Sequence, residues 1–196
     1  SVDHTHEVVN SFQNRLPKLQ YCTHRRGVSH QRNHGGRLAS GEWICFFDAD
    51  VSIPSNFLTA SLAELKSRNL DLACPQFWAD SQDIRFKLFF WFFSKLFVLS
   101  PLWKPAGGGP CIFIRRELFQ QSDGFWYKPW EDLEFIYRMG KQYRYRVLNN
   151  RIWVSDRRLK KHGLWKMTLD YSKVGIAFLQ DNLDGMKKIE YPFGTF

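Results

Sequence analysis

Runs of apolar residues separated by short polar stretches organise this chain, and their periods switch between those of strand and helix. Trp43-Ile44-Cys45-Phe46-Phe47 is an unbroken apolar run, the pattern of a strand buried on both faces of a helix-covered sheet. Ahead of it, Leu19 to Thr23 reads as a short strand and Ser29 to Ser40 as a helix carrying His30, Arg32, His34 and Arg37. After it, Pro54 opens a helix on which Leu58, Leu62 and Leu65 recur at helical spacing until Asn69. Leu70 to Pro75 and Cys111 to Ile114 read as further strands. Glu131 to Met139 reads as a helix closed by Gly140, and Arg144 to Leu148 and Arg151 to Ser155 as two late strands. This alternation predicts an α/β domain with a mostly parallel central sheet flanked by helices. Ligands of such sheets sit beyond the carboxyl ends of the strands.

The first of those ends carries Asp48-Ala49-Asp50. Side chains alternate along a strand, so Asp48 and Asp50 project to one side, about 7 Å apart along the backbone. Two carboxylates so placed suit a hard divalent cation, which takes phosphate oxygens as readily as protein oxygens; they equally suit a turn, with Pro54 close behind. Downstream, Gly107-Gly108-Gly109-Pro110 is either a flexible turn or a segment whose backbone approaches a ligand. Trp130-Glu131-Asp132 opens a helix striped by Leu133, Ile136 and Tyr137. Its acids either complement the helix dipole or supply a positioned general base. Arg157-Arg158-Leu159-Lys160-Lys161-His162 is a solvated face or, folded against the carboxylate edge, a cradle for a leaving diphosphate.

From Ile84 to Trp103 the chain is apolar nearly all round, interrupted by Arg85, Lys87, Lys95 and Pro101. A spanning helix needs roughly 20 mostly apolar residues, and these cations and the proline argue against one. An interfacial helix, with aromatics in the acyl boundary and lysines among headgroups, and a core helix of the domain both fit.

Composition narrows the class. With 196 residues, 44% hydrophobic and 17% aromatic, the chain can bury one sizeable core. Its net charge of +9 points to a polyanionic partner: nucleic acid, anionic lipid or diphosphate. The basic residues are spread through the chain without a nucleic-acid-binding motif, which argues against a nucleic-acid module. Cys22, Cys45, Cys74 and Cys111 lie far apart without Cys-x-x-Cys spacing, as expected of thiols in a reducing compartment rather than of zinc ligands or disulfides. Ser1 in place of a starting Met implies that the first residue is not the natural start.

Taken in order, these segments resemble the GT-A-type glycosyltransferases of family 2. The resemblance is carried by Gly36-Arg37-Leu38-Ala39-Ser40-Gly41-Glu42-Trp43 leading into Asp48-Ala49-Asp50, then the glycine segment, then Ile114-Arg115-Arg116-Glu117-Leu118-Phe119. Asp123-Gly124-Phe125 and Glu131-Asp132-Leu133-Glu134-Phe135 follow, with Arg138 and Gly140. It extends from Ser1 to about Gly163 and implies a Rossmann-like nucleotide-diphospho-sugar transferase fold.

By this resemblance the protein transfers a sugar, with inversion, from a nucleoside-diphosphate sugar to an acceptor hydroxyl on a glycan or lipid-linked acceptor, in the cytoplasm or at the inner face of the membrane. Asp50 and Asp48 would hold Mn²⁺ or Mg²⁺, with His162 completing the site, and Asp132 would be the base. Asp3, Arg32, Asp48, Gly107, Gly108, Gly109, Arg157 and Arg158 would face the donor, and Trp130 and Glu131 the acceptor. The implied division is 1-83 for nucleotide and metal, 84-103 for the apolar helix, 104-165 for acceptor and catalysis, and 166-196 as a C-terminal tail. Ser1-Val2-Asp3-His4-Thr5 resembles the end of the family's second acidic motif, so the first strand and most of the base pocket are expected to be absent, through fragmentation or natural truncation. The sheet would then lack strands at its centre. A sugar-nucleotide binder without turnover is the alternative within the same fold.

Overall fold

The apolar runs pair into a five-stranded sheet. Strands β1 (Trp43–Phe47), β2 (Val51–Ser52), β3 (Leu72–Asp80), β4 (Cys111–Arg115) and β5 (Tyr145–Ser155) join in the order β1-β4-β3-β5-β2. The computed structural model describes residues 4–189, without the side chain of Lys187. Asp3 lies outside the described residues. The sheet is mixed, which corrects the expectation of a mostly parallel one: β3 and β5 run parallel, whereas β1 with β4, β3 with β4 and β2 with β5 are antiparallel. An unbroken apolar run fits either direction, and it is the connection that decides. The chain leaves β3 through a helix and the glycine segment and re-enters the sheet at the edge where β1 ends. There the Asp48 amide donates to the Pro110 carbonyl at 3.0 Å. Among the described residues the sheet is continuous, with β1 at one edge, rather than interrupted at its centre.

Helices cover both faces. One face presents Ile44, Phe46, Leu72 and Ile114 to Phe119 of α5 (Arg116–Gln121), to Phe125, and to Phe135 and Ile136 of α6 (Glu131–Gly140). The other sets Ala73, Phe77, Phe113 and Ile152 against Phe57 and Leu65 of α3 (Phe57–Ser67) and against Phe90, Phe93 and Phe97 of α4 (Ile84–Leu99). Two helices, α1 (Thr5–Ser11) and α2 (Val28–Leu38), precede the sheet. Leu19 to Thr23 is not a strand: it is mostly exposed and has no ladder partner among the described residues. The two late strands are one. Register shifts from Cys74 opposite Val147 to Gln76 opposite Arg151, so the residues between form a bulge beside Pro75, which cannot donate to a ladder.

Residues 84–102 form α4 and a 3-10 turn (Ser100–Leu102). Asp83 caps the helix by accepting the Arg85 N–H at 2.8 Å. Its inner face is core: Phe90 and Phe97 flank Phe77, with ring centroids 5.9 and 5.6 Å away, and the Phe77 amide donates to Ser94 Oγ at 3.2 Å. Its outer face leaves Ile84, Leu88, Trp91, Phe92 and Leu99 exposed. No helix among the described residues is long and apolar enough to cross a membrane. The C-terminal segment is no mere tail. After α7 (Arg157–His162) it forms α8 (Leu164–Leu179) and α9 (Leu183–Lys188). Met167, Val174 and Phe178 of α8 are buried, and Tyr171 stacks edge-on against Phe89 of α4 with centroids 5.7 Å apart.

Candidate active site

Three chain segments meet beyond the end of β1: the Asp48-Ala49-Asp50 turn, the glycine segment before β4, and the start of α6. They line one cavity of about 290 Å³, together with Arg32, Trp130 and Arg158. Arg32 is its central cation. It donates to Asp48 Oδ1 at 2.6 Å, to Glu131 Oε1 at 3.0 Å and to the Gly109 carbonyl at 3.0 Å, with its guanidinium 5.4 Å from the Phe125 ring centroid. Burial opposes that charge, but the carboxylates of Asp48, Asp132 and Glu131 outweigh it and raise the Arg32 pKa.

The acids respond to the same surroundings. Glu131, 3% exposed, has its pKa pushed up to about 7 by burial and then by the neighbouring Asp132, with Arg32 offsetting only part. Burial also raises Asp48 above the ordinary carboxylate range despite its Arg32 partner. Asp132 is half-buried, and its Oδ1 accepts the Leu133 amide at 2.9 Å. Asp50, at the more open side, accepts from Arg157 at 3.2 Å, an exposed pair worth well under about 1 kcal/mol.

The backbone aims these groups. Trp130 sits in the left-handed region, φ 63° and ψ 33°, at the N-cap of α6, a conformation costly for a bulky residue. Its ring is buried, edge-on to Tyr171 at 5.6 Å, and its indole N–H donates to the Ile189 carbonyl at 3.3 Å. These contacts hold the strained residue, so Glu131 and Asp132 leave the turn toward the cavity. The glycines serve close packing rather than unusual dihedrals, since none of the three has a positive φ. A Cβ at Gly107 would meet Tyr145 Oη and Cys74 Sγ, one at Gly108 the Phe77 ring, and one at Gly109 would collide with the Asp132 carboxylate.

Most sequence-derived site residues therefore converge: Arg32, Asp48, Asp50, Gly107, Gly108, Gly109, Trp130, Glu131, Asp132 and Arg158 line the cavity, and Arg157 touches it through Asp50. His162 does not. It ends α7, half-buried, and is not among the residues that line the cavity. Among the described residues no three His, Cys, Asp or Glu side chains cluster as metal ligands. Asp48 and Asp50 are the carboxylates on the lining beside the turn, and Mg²⁺ or Mn²⁺ is usually bound by one or two carboxylates together with substrate phosphates and water. Sequence reading missed Asn33, whose buried side chain takes the Phe125 amide on Oδ1 at 2.7 Å and donates from Nδ2 to the Phe125 carbonyl at 2.8 Å. It fastens the Arg32-bearing helix to the Asp123-Gly124-Phe125 turn, and the glycine there, φ +69° and tight against Asn33, was the available signal. Several arginines, among them Arg68, Arg115, Arg138 and Arg144, are engaged in ion pairs with acids of the chain.

Known proteins share this fold. Residues 1–123 match the family model described as glycosyl transferase family 2. No curated protein matches the chain. Among solved structures, the chain is similar to the mannosyltransferase PcManGT from Pyrobaculum calidifontis in complex with GDP-Man and Mn²⁺, at 25% identity and TM-score 0.57, over 76% of this chain and 43% of that one. S. aureus TarS is similar at 18% identity and TM-score 0.58, over 79% and 29% of the two chains. TarS 1-349 in complex with UDP is similar at 19% and 0.60, over 79% and 48%. The TarS likeness concerns the fold. The chain spans less than half the length of each of these. With the family model matched over more than half of its residues, and a fold shared with these enzymes, the chain belongs to glycosyl transferase family 2.

Proposed function

We propose that the protein is an inverting glycosyltransferase that moves a sugar from a nucleoside-diphosphate sugar to an acceptor hydroxyl with the help of Mn²⁺ or Mg²⁺. The observation that carries this reading is the meeting of Arg32, Asp48, Asp50, Glu131 and Asp132 with the glycine segment around one cavity. The GDP-Man and Mn²⁺ bound to PcManGT support it. Asp48 and Asp50 are the residues that would hold the cation, which when bound neutralises charge on the diphosphate. Arg32 and Arg158 supply further positive charge to the departing group.

The acceptor oxygen attacks the anomeric carbon while the bond from that carbon to the diphosphate oxygen breaks, and the hydroxyl proton passes to Asp132. One displacement inverts the centre. Glu131, held by Arg32 and with its pKa near 7, orients the acceptor side of the cavity with Trp130. The outer apolar face of α4 supports attachment to the inner face of a membrane, in cell-envelope or lipid-linked glycan synthesis.

Calorimetric titration of the protein with UDP and with GDP, in Mn²⁺ and in EDTA, tests the metal and donor together. The cation is expected to tighten one of them, and Asp50→Ala to abolish the gain. Equal affinity in all conditions refutes the metal assignment.

A further inference from the structure

The cavity does not end at the carboxylates. It continues between α4 and α8, where its walls are Phe89, Phe93, Leu96, Tyr171, Val174 and Phe178. Among the described residues Lys104 lines this limb too, and its ammonium is already bound: it donates to the Phe178 carbonyl and to Asp181 Oδ1 at 2.6 Å, and lies over the Tyr137 and Phe178 rings at 4.8 and 4.6 Å. Protein interiors hold few voids larger than a water molecule, and an apolar one gains no compensating hydrogen bonds from water.

A second observation concerns what leaves the space open. Gly175 lines the limb from the interior of α8, and a Cβ placed there would have no atom within 4 Å. Glycine weakens a helix interior relative to alanine, so this position forgoes helix stability and keeps the cavity clear. The opening is apolar as well. Trp103, Leu96 and Leu179 line the cavity while remaining 57%, 39% and 62% exposed, so an apolar chain can enter without crossing a polar rim.

We infer that the acceptor is an amphiphile with one apolar chain, and that the chain lies between α4 and α8 with its hydroxyl head at Asp132. This rests on the transferase reading above and names its acceptor class. The whole cavity, carboxylate end included, is about 290 Å³, near the lower end of small-molecule pockets, roughly 300 to 1,000 Å³, so the part between α4 and α8 suits one slender chain rather than a two-chain lipid. In the transfer the head-group oxygen bonds to the anomeric carbon, its proton goes to Asp132 and the diphosphate leaves. The chain takes no part except to fix that oxygen in place.

The test uses 11-(dansylamino)undecan-1-ol, a single chain with a hydroxyl head whose fluorescence rises in apolar surroundings, titrated below its aggregation threshold. Saturable binding at one probe per protein is expected. Gly175→Phe, which fills the limb, is expected to weaken binding at least about tenfold without lowering the thermal midpoint, since leaving glycine favours the helix. Should that variant fold poorly, the double variant Trp103→Gln/Leu179→Gln at the exposed rim is expected to weaken binding by about threefold or more with the fold intact. No saturable binding, or binding unchanged in the folded variants, overturns the inference. UDP and GDP titrations with Mn²⁺ on the same unsubstituted sample read the other end separately. Nucleotide binding without probe binding leaves the transferase reading standing and removes the apolar acceptor; probe binding without either nucleotide removes the assignment of the chain as an acceptor. Co-sedimentation with phosphatidylcholine vesicles carrying the probe separates sources: pelleting supports delivery from a bilayer, and protein left in the supernatant supports capture of the free amphiphile.

Discussion

At its carboxylate end the cavity is fixed by a few directional contacts. Arg32 alone joins Asp48, Glu131 and the Gly109 carbonyl, and so ties α2, the end of β1, the glycine segment and α6 together. Between α4 and α8 the walls meet instead through rings at 5.3 to 5.7 Å, Phe93 and Phe89 each against Tyr171. Ion pairs of this kind specify angles but depend on one another, because removing one member strands the rest. Ring contacts specify volume and tolerate change piecemeal. The first end can therefore hold reacting groups, and the second can hold a chain of variable conformation.

Sharp substitutions at the polar end test this division most strongly. Asp132→Asn keeps shape and removes basicity, so turnover is expected to fall by about 10² to 10⁴-fold with donor affinity unchanged. Nucleoside-diphosphate release and equilibrium donor binding are the paired assays, and more than half of the parental turnover would return Asp132 to a helix-dipole role. Arg32→Met should cost about 2 to 4 kcal/mol in urea unfolding, since Asp48 and Glu131 then face each other without a cation. A loss below about 1 kcal/mol would show that the three contacts are not a unit.

Glu131 gives a smaller, pH-dependent effect. Its pKa rises from 4.5 to about 7 on folding, so its contribution is fully present below the unfolded value and is lost as pH rises through the folded one. Glu131→Gln does not titrate. The stability of that variant relative to the parent should thus improve from about pH 5 to about pH 8 by on the order of 2 kcal/mol, read from melting at both pH values; a flat difference would contradict the buried acid. The apolar end should respond least in stability. Trp91→Ser with Phe92→Ser on the exposed face of α4 should change unfolding by only about 0.5 kcal/mol, yet reduce sedimentation with vesicles containing anionic lipid at low salt. Phe89 and Phe93 are the wrong residues for that experiment, because they face the cavity and Tyr171.

Local pattern revealed the polar end better than the apolar one. β1 and its two aspartates, the start of α6 and the glycine segment were legible because each is a short contiguous signal. Strand direction was not, since Cys111 to Arg115 would read identically in either sense, and the return path through α4 decides it. The bulge made β5 look like two strands. In α8, Met167, Tyr171, Val174 and Phe178 repeat at helical spacing, but Gly175 and the polar residues between them hide the period. The glycines read from sequence as a turn or as an approach to a ligand, whereas the side chains they pack against, Tyr145, Phe77 and Asp132, come from other parts of the chain. Arg32 meeting Glu131 across so many intervening residues could be known only from the fold.

The strand order has a consequence for how the protein comes into being. β3 lies between β4 and β5, and both neighbours follow it in the chain, with α4 emerging in between. During synthesis at about 5 to 20 residues per second, β3 and the inner aromatic face of α4 wait for seconds before β5 can close the sheet. The nascent chain passes through its most adhesive state before its central pair can form, so its yield in a cell depends on what shields Phe77, Trp78 and the α4 rings in that interval.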